Sequence, residues 1–187
     1  MRAKSPDKRT RLVEAAAKLV YERGFHRAAL ADIAAAARVP LGNVYYYFKT
    51  KDALGEALVA ERARRHEALR STWDEHPDPK DRLLAFIDMT VDSRSSLARS
   101  GCPVGSLCAE LHKDGGPLAK HATGLFAAYL TWLEKQFRSL GQGDESPDLA
   151  AHLMSALQGA ALLTHSFQSP RFIEREARRL KAWIRAL

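Results

Sequence analysis

Cysteine is scarce, with two residues, Cys102 and Cys108, in a chain of 187. Two are too few for a disulfide-built scaffold, and the spacing Cys102-x5-Cys108 fits neither a zinc site nor a thioredoxin-type pair. Long apolar runs are missing as well. No uncharged stretch approaches the roughly 20 residues that cross a bilayer, and residues 1–8 hold no apolar core of a secretory signal. A cytoplasmic protein with no membrane partner is therefore expected. Glycine and proline, 11 and 8 residues, are too few for a collagen-like or low-complexity chain. With 46% hydrophobic and 27% charged residues, the composition is not that of a disordered chain either. One or two small domains with true cores remain.

The charge is unevenly placed. Residues 1–70 hold 15 Lys+Arg and 8 Asp+Glu, a net of +7, while residues 71–187 hold 14 of each. A basic first third on a neutral remainder implies that only the first part meets a polyanion, either nucleic acid or a membrane surface.

The apolar pattern is helical throughout and nowhere alternates like a strand, so the fold class is all-α. Six prolines stand where a first helical turn tolerates them, at Pro6, Pro79, Pro103, Pro117, Pro147 and Pro170. The pattern after Pro117 is the longest, from Leu118 through Leu125, Tyr129 and Leu133 to Leu140 before Gly141. Residues 92–101, rich in Ser and Arg, are expected to form a loop.

In the basic third, residues 31–37 are a strong helix former with Leu30, Ile33 and Ala34 facing inward. Arg38-Val39-Pro40 interrupts, and a second short helix follows with Val44 and Phe48 inward. Leu41, Gly42, Asn43, Tyr45, Tyr46 and Tyr47 are left around its outside. Three adjacent tyrosines on so short a helix cannot all be buried. Phenol hydroxyls reach phosphates and Asn reads base edges, so the surface suits a DNA groove. Thr50 is the expected cap of the next helix.

The run Arg23-Gly24-Phe25, Leu30-Ala31-Asp32-Ile33-Ala34, Val39, Gly42-Asn43-Val44-Tyr45-Tyr46-Tyr47-Phe48 and Lys51-Asp52-Ala53-Leu54 closely resembles the DNA-binding domain of TetR-family transcriptional regulators. Several separate elements match in order and at the family's spacing. The resemblance implies an N-terminal three-helix helix-turn-helix domain, residues 1–56, and a C-terminal helical domain, residues 57–187, that binds ligand and dimerises. It further implies a homodimeric repressor, released from an inverted-repeat double-stranded DNA operator by a small-molecule effector. Carried over position by position, Leu41, Gly42, Asn43 and Tyr46 face the bases, and Tyr45, Tyr47 and Lys51 contact phosphates. The sequence departs from the pattern in three places. Ala28-Ala29 replaces a usual Thr or Ser cap, Arg38 replaces the turn glycine, and Pro40 replaces a common Ser cap. Arg38 at positive φ carries strain of about 1 kcal/mol or more.

Residues 71–187 show no nucleophile motif, phosphate loop or spaced carboxylate pair, so no catalytic residue, metal or cofactor is expected. On the family reading, the effector pocket is lined from Phe86, Met89, Leu107, Phe126, Tyr129, Trp132, Met154 and Leu157. This set suits an apolar or aromatic ligand, with His121, His152, His165 and Gln158 as polar contacts. The strip Ala156, Gly159 and Ala160 and the apolar face Phe172, Ile173, Leu180, Trp183 and Ile184 fit either a second subunit or the chain's own core. Cys102 sits at the start of the helix opened by Pro103, where the helix dipole favours thiolate. That gives an alternative, a redox- or electrophile-sensing regulator acting through Cys102. A helical binding module or an enzyme not acting on DNA is the other. Cys108 and His112, four apart, share a helical face, but two ligands do not make a metal site.

Overall fold

The computed structural model describes residues 7–187. The expected helix start at Ser5-Pro6 therefore lies outside the described residues. Every regular element among those residues is helical: α1 (Lys8–Arg23), α2 (Leu30–Ala37), α3 (Leu41–Tyr47), α4 (Lys51–Asp74), α5 (Pro79–Asp92), α6 (Arg94–Ser100), α7 (Pro103–Asp114), α8 (Gly116–Ser139), α9 (Ser146–Ser166) and α10 (Arg171–Ala186). Local chemistry sets many of the boundaries. Asp7 caps α1 by accepting the Thr10 N–H at 2.7 Å, Asp78 caps α5 by accepting the Lys80 N–H at 2.8 Å, and Thr50 accepts the Ala53 N–H at 3.0 Å. The stretch 92–101, expected as a loop, is instead largely helix. Leu97 and Ala98 of α6 are buried, and Gly101 ends the helix at φ 74°. Two apolar residues in seven give no readable period, which is why the sequence conceals it.

Two compact units divide the chain. The first comprises the described residues up to Arg64 together with Ser106–Thr123; the second comprises Arg65–Gly105 and Gly124–Leu187. Residues 106–123, far beyond the first 64, pack with the first unit.

The first unit is built on Leu12, Ala16, Ile33, Val44, Phe48 and Leu58, all buried. Arg38 links α2 to α3 in the left-handed region at φ 53°, ψ 47°, with its N–H returned to the carbonyls of Ala34 and Ala35. The αL cost anticipated for this non-glycine residue is thus borne at the turn. Neither Ala29 nor Pro40 supplies a side-chain cap to the following helix. At Gly55 a Cβ would lie 2.7 Å from Leu118 and 2.9 Å from Phe25, so the notch requires glycine for close approach.

The second unit is organised by an aromatic cluster. Trp73 meets Phe86 edge-on at 5.7 Å and Trp132 at 5.3 Å, and Phe86 lies 5.4 Å from Tyr129. The Trp132 indole N–H donates to Asp74 Oδ1 at 3.0 Å, and buried Thr164 accepts the Ile173 N–H at 3.1 Å beside the start of α10. Ile173, Ala177, Leu180 and Ile184 recur every three or four residues and all face the core of this unit. That settles the open choice for these residues, and Ala160 is buried with them.

Candidate nucleic-acid interface and small-molecule cavity

On α3 the inward residues are Val44 and, just past its end, Phe48, 0% and 3% exposed. Their burial turns the opposite face outward: Leu41, Tyr45 and Tyr46 are exposed by 43%, 50% and 76%. Gly42 is exposed, with no atom within 4 Å of a built Cβ, while Asn43 and Tyr47 are half-buried. Tyr46 and Tyr47 meet edge-to-face at 5.1 Å, which orients both phenols. The exposed cations Lys8, Arg9, Lys18, Arg27, Arg38 and Lys49 lie in the same unit, Arg9 over the Phe48 ring at 5.4 Å. Exposed phenols and a half-buried Asn in a unit that also exposes cations give the chemistry of base-edge and phosphate contact. Lys51 stands apart from the other candidate contacts. Its Nζ donates to the His26 carbonyl at 2.8 Å and lies 5.1 Å above the Phe25 ring.

The second unit contains an apolar cavity that opens to solvent on one side. Six of the residues proposed from sequence line it: Phe86, Met89, Phe126, Tyr129, Met154 and Leu157. Leu107 belongs to the first unit, and Trp132 is packed in the aromatic cluster outside the lining. Of the expected polar contacts only Gln158 is present. His121 pairs with Glu56, His152 stands edge-on to Trp183 at 5.1 Å, and His165 meets the Ala98 carbonyl at 3.2 Å. The lining also contains His66, Thr90, Ser93, Leu97, Cys102, Pro103, Val104 and Ala161. No spacing in the sequence points to His66, which only the fold brings to the cavity with Gln158. The lining includes no Asp, Glu, Lys or Arg, and its walls are apolar and aromatic with a few neutral polar tips, as in small-molecule sites generally.

Tyr129 is the best-defined polar group there. Burial pushes its phenol up to about 12, with the Cys102 sulfur adding to the rise and the Arg70 guanidinium, 5.4 Å from the ring, opposing it. The phenol is thus a neutral donor over the physiological range. A folded value above the unfolded one of about 10 means that stability is intact below pH 10 and is lost as pH rises from about 10 to 12. We expect roughly 2 to 3 kcal/mol to disappear over that window in urea titrations. Tyr129→Phe should lack this component, and identical alkaline profiles for both proteins would refute the assignment.

Cys102 lines the cavity, and its Sγ accepts the Gly105 N–H at 3.3 Å, an N-cap contact at the start of α7. Cys108 is buried in the first unit, its thiol donating to the Ala122 carbonyl at 3.3 Å. His112 is held by the Cys108 carbonyl at 2.9 Å and by Thr123 at 3.1 Å. One feature carried no sequence signal. On α9, Leu162 and Leu163 are 65% and 44% exposed, with Phe167 just beyond at 63%.

Two short helices joined by a tight turn, the second exposing Leu41, Tyr45 and Tyr46, together with an apolar cavity in a separate helical unit, define the class of one-component DNA-binding regulators. Residues 12–58 match the family model described as bacterial regulatory proteins, tetR family. The chain is 31% identical over 169 residues to the HTH-type transcriptional repressor DhaR of Mycobacterium sp. (strain GP1), covering 82% of this chain and 80% of that protein. It therefore belongs to the TetR family and is a DNA-binding transcriptional regulator. Its fold is shared with a TetR transcriptional regulator from Legionella pneumophila, at a TM-score of 0.86 and 20% identity over 97% of this chain and 98% of that one. It is also shared with the reduced form of E. coli NemR, at a TM-score of 0.81 and 23% identity over 94% and 96%. No helix among the described residues is long and apolar enough to cross a membrane.

Proposed function

We propose that the protein is a homodimeric, cytoplasmic repressor, not an enzyme, that reads an inverted-repeat operator and is released by an uncharged apolar or aromatic effector. Residues 1–56 carry DNA recognition, and residues 57–187 carry effector binding and dimerisation. The observation that carries the reading is the outward face of α3, with Leu41, Tyr45 and Tyr46 exposed while Val44 is fully buried. Leu41, Gly42, Asn43 and Tyr46 contact bases, Tyr45 and Tyr47 contact phosphates, and Lys51 serves the phosphates from the start of α4. The absence of charge from the cavity lining favours a neutral effector, since a buried ion would lack a partner there. The effector acts by preferring the dimer state that does not fit DNA, which requires differential affinity for the two states.

Selection from a random duplex pool tests the DNA reading. It should return a motif with dyad symmetry, because two α3 helices related by a two-fold axis read half-sites of opposite orientation. On single-base variants of that motif, Asn43→Ala should alter preference at one or two base pairs by about 1 to 3 kcal/mol. Unchanged relative preferences would show that Asn43 reads no base.

A second reading is favoured by Cys102, which lies in the cavity wall at a helix start. An electrophile entering the cavity would meet this sulfur, whereas Cys108 is enclosed. Alkylation followed by mass spectrometry on folded protein should label Cys102 before Cys108. Equal, slow labelling, or an oxidant response that persists in Cys102→Ser, removes this route.

A further inference from the structure

The turn between α1 and α2 depends on a residue far from it in sequence. Within residues 24–29 two N–H groups bond to backbone, Gly24 N–H to the Val20 carbonyl at 2.9 Å and Ala28 N–H to the Gly24 carbonyl at 3.2 Å. The N–H groups of Phe25 and His26 donate instead to the Glu110 carboxylate of α7, at 2.7 and 2.8 Å. Two consecutive amides on one anion form a charge-assisted cradle. Gly24 permits it. Its φ is 89°, and a Cβ there would stand 2.9 Å from Glu110 Oε2. The same two residues are gripped by other groups: Lys51 Nζ lies 5.1 Å above the Phe25 ring and donates to the His26 carbonyl, and Asp114 meets His26 Nε2 at 2.8 Å. Lys51 is the first residue of α4, four positions beyond the end of α3. All of these groups belong to the first unit.

We infer that Glu110 is a positioning residue for DNA binding: its carboxylate fixes the α1–α2 turn, and through His26 and Lys51 that turn fixes the orientation in which α3 is presented to the operator. The residue lies outside the stretch 12–58 that defines the family's DNA-binding module. An acidic side chain in a unit whose ligand is a polyanion opposes association through its charge alone. That gives the inference a sign that bystander charge and mere fold support do not share.

The test is Glu110→Gln, which keeps the shape but offers one oxygen where the two amides need two. Affinity for a duplex selected from a random pool is measured well below the melting temperature and across a salt series. Positioning predicts about a tenfold loss at an unchanged salt slope, the scale expected when charge-assisted bonds are weakened. Unchanged affinity would make Glu110 a structural residue only, and increased affinity would make it a repelling charge; either overturns the inference. Should the variant fail to fold, amide hydrogen exchange on the wild-type protein decides. The Phe25 and His26 amides should be protected, and exchange at the rate of free amides would refute the cradle.

Discussion

Raising monovalent salt from 50 to 200 mM is expected to weaken operator binding by about a thousandfold or more. Each phosphate neutralised by a cation releases condensed counterions, and six to ten such contacts over a dimer give losses of about 10³ to 10⁵ across that range. The first 70 residues supply the required excess, a net of +7 per chain against a neutral remainder. The geometry also predicts which substitutions alter the slope. Lys49 is exposed, so Lys49→Ala, which removes one cation from each subunit of the dimer, should reduce it by about two. Tyr45→Phe removes a neutral hydroxyl and should lower affinity at every salt concentration without changing the slope. Lys51 is the informative case, because its ammonium is already bonded to the His26 carbonyl. If it serves phosphates as well, Lys51→Ala lowers the slope; if it only braces the turn, affinity falls and the slope stays. Fluorescence anisotropy over a salt series separates these outcomes, and a slope near zero for the wild type would contradict binding driven by phosphate contact.

The second large effect is expected from α9. Gly159, Leu162 and Leu163 recur at the three- and four-residue intervals of one helical face, Phe167 follows just past the helix end, and the face is open, with no atom within 4 Å of a built Gly159 Cβ. Exposed leucine and phenylalanine in one stripe are costly to leave in water and mark a contact with another chain. We expect this stripe to meet its own copy across a two-fold axis, small residues at one end allowing close approach and bulky ones filling the other. Leu162→Glu combined with Phe167→Glu places like charges on both sides of such a contact. Sedimentation should then show a monomer, and operator affinity should fall by about 10² to 10⁴, because two linked half-site readers bind far better than one. A double variant that sediments as a dimer would move the interface elsewhere.

Which parts of this were legible in the sequence follows from the range of the interactions involved. The helix-turn-helix was readable because its determinants are local: Val44 and Phe48 four apart, Arg38 at the turn, three tyrosines with nowhere to hide. Pro79 and Pro103 marked true helix starts for the same reason. The helix Arg94–Ser100 was not readable, since its burial depends on neighbours contributed by other helices. The cavity was half readable. Phe86, Met89, Phe126, Tyr129, Met154 and Leu157 converge on it, but apolar character alone does not distinguish a lining residue from Trp132 in the packed cluster or Leu107 in the other unit. His121, His152 and His165 found partners elsewhere, which no spacing rule foretells. For α10, amphipathic period identified the buried face, but only packing showed that it turns toward its own unit.

The interleaving of residues 106–123 with the first 64 bears on how such a regulator can be rebuilt or can diversify. A crossover that grafts the opening segment onto a foreign effector module, the simplest recombination imaginable, delivers the recognition helix without Glu110, Leu118 or His121. Phe25 and His26 then lose the acceptor for their amides, and the notch at Gly55 loses the leucine that fills it. Exchange of specificity in this lineage is therefore constrained to point changes on the outer face of α3, or to transplants that carry a second, non-contiguous segment with the first.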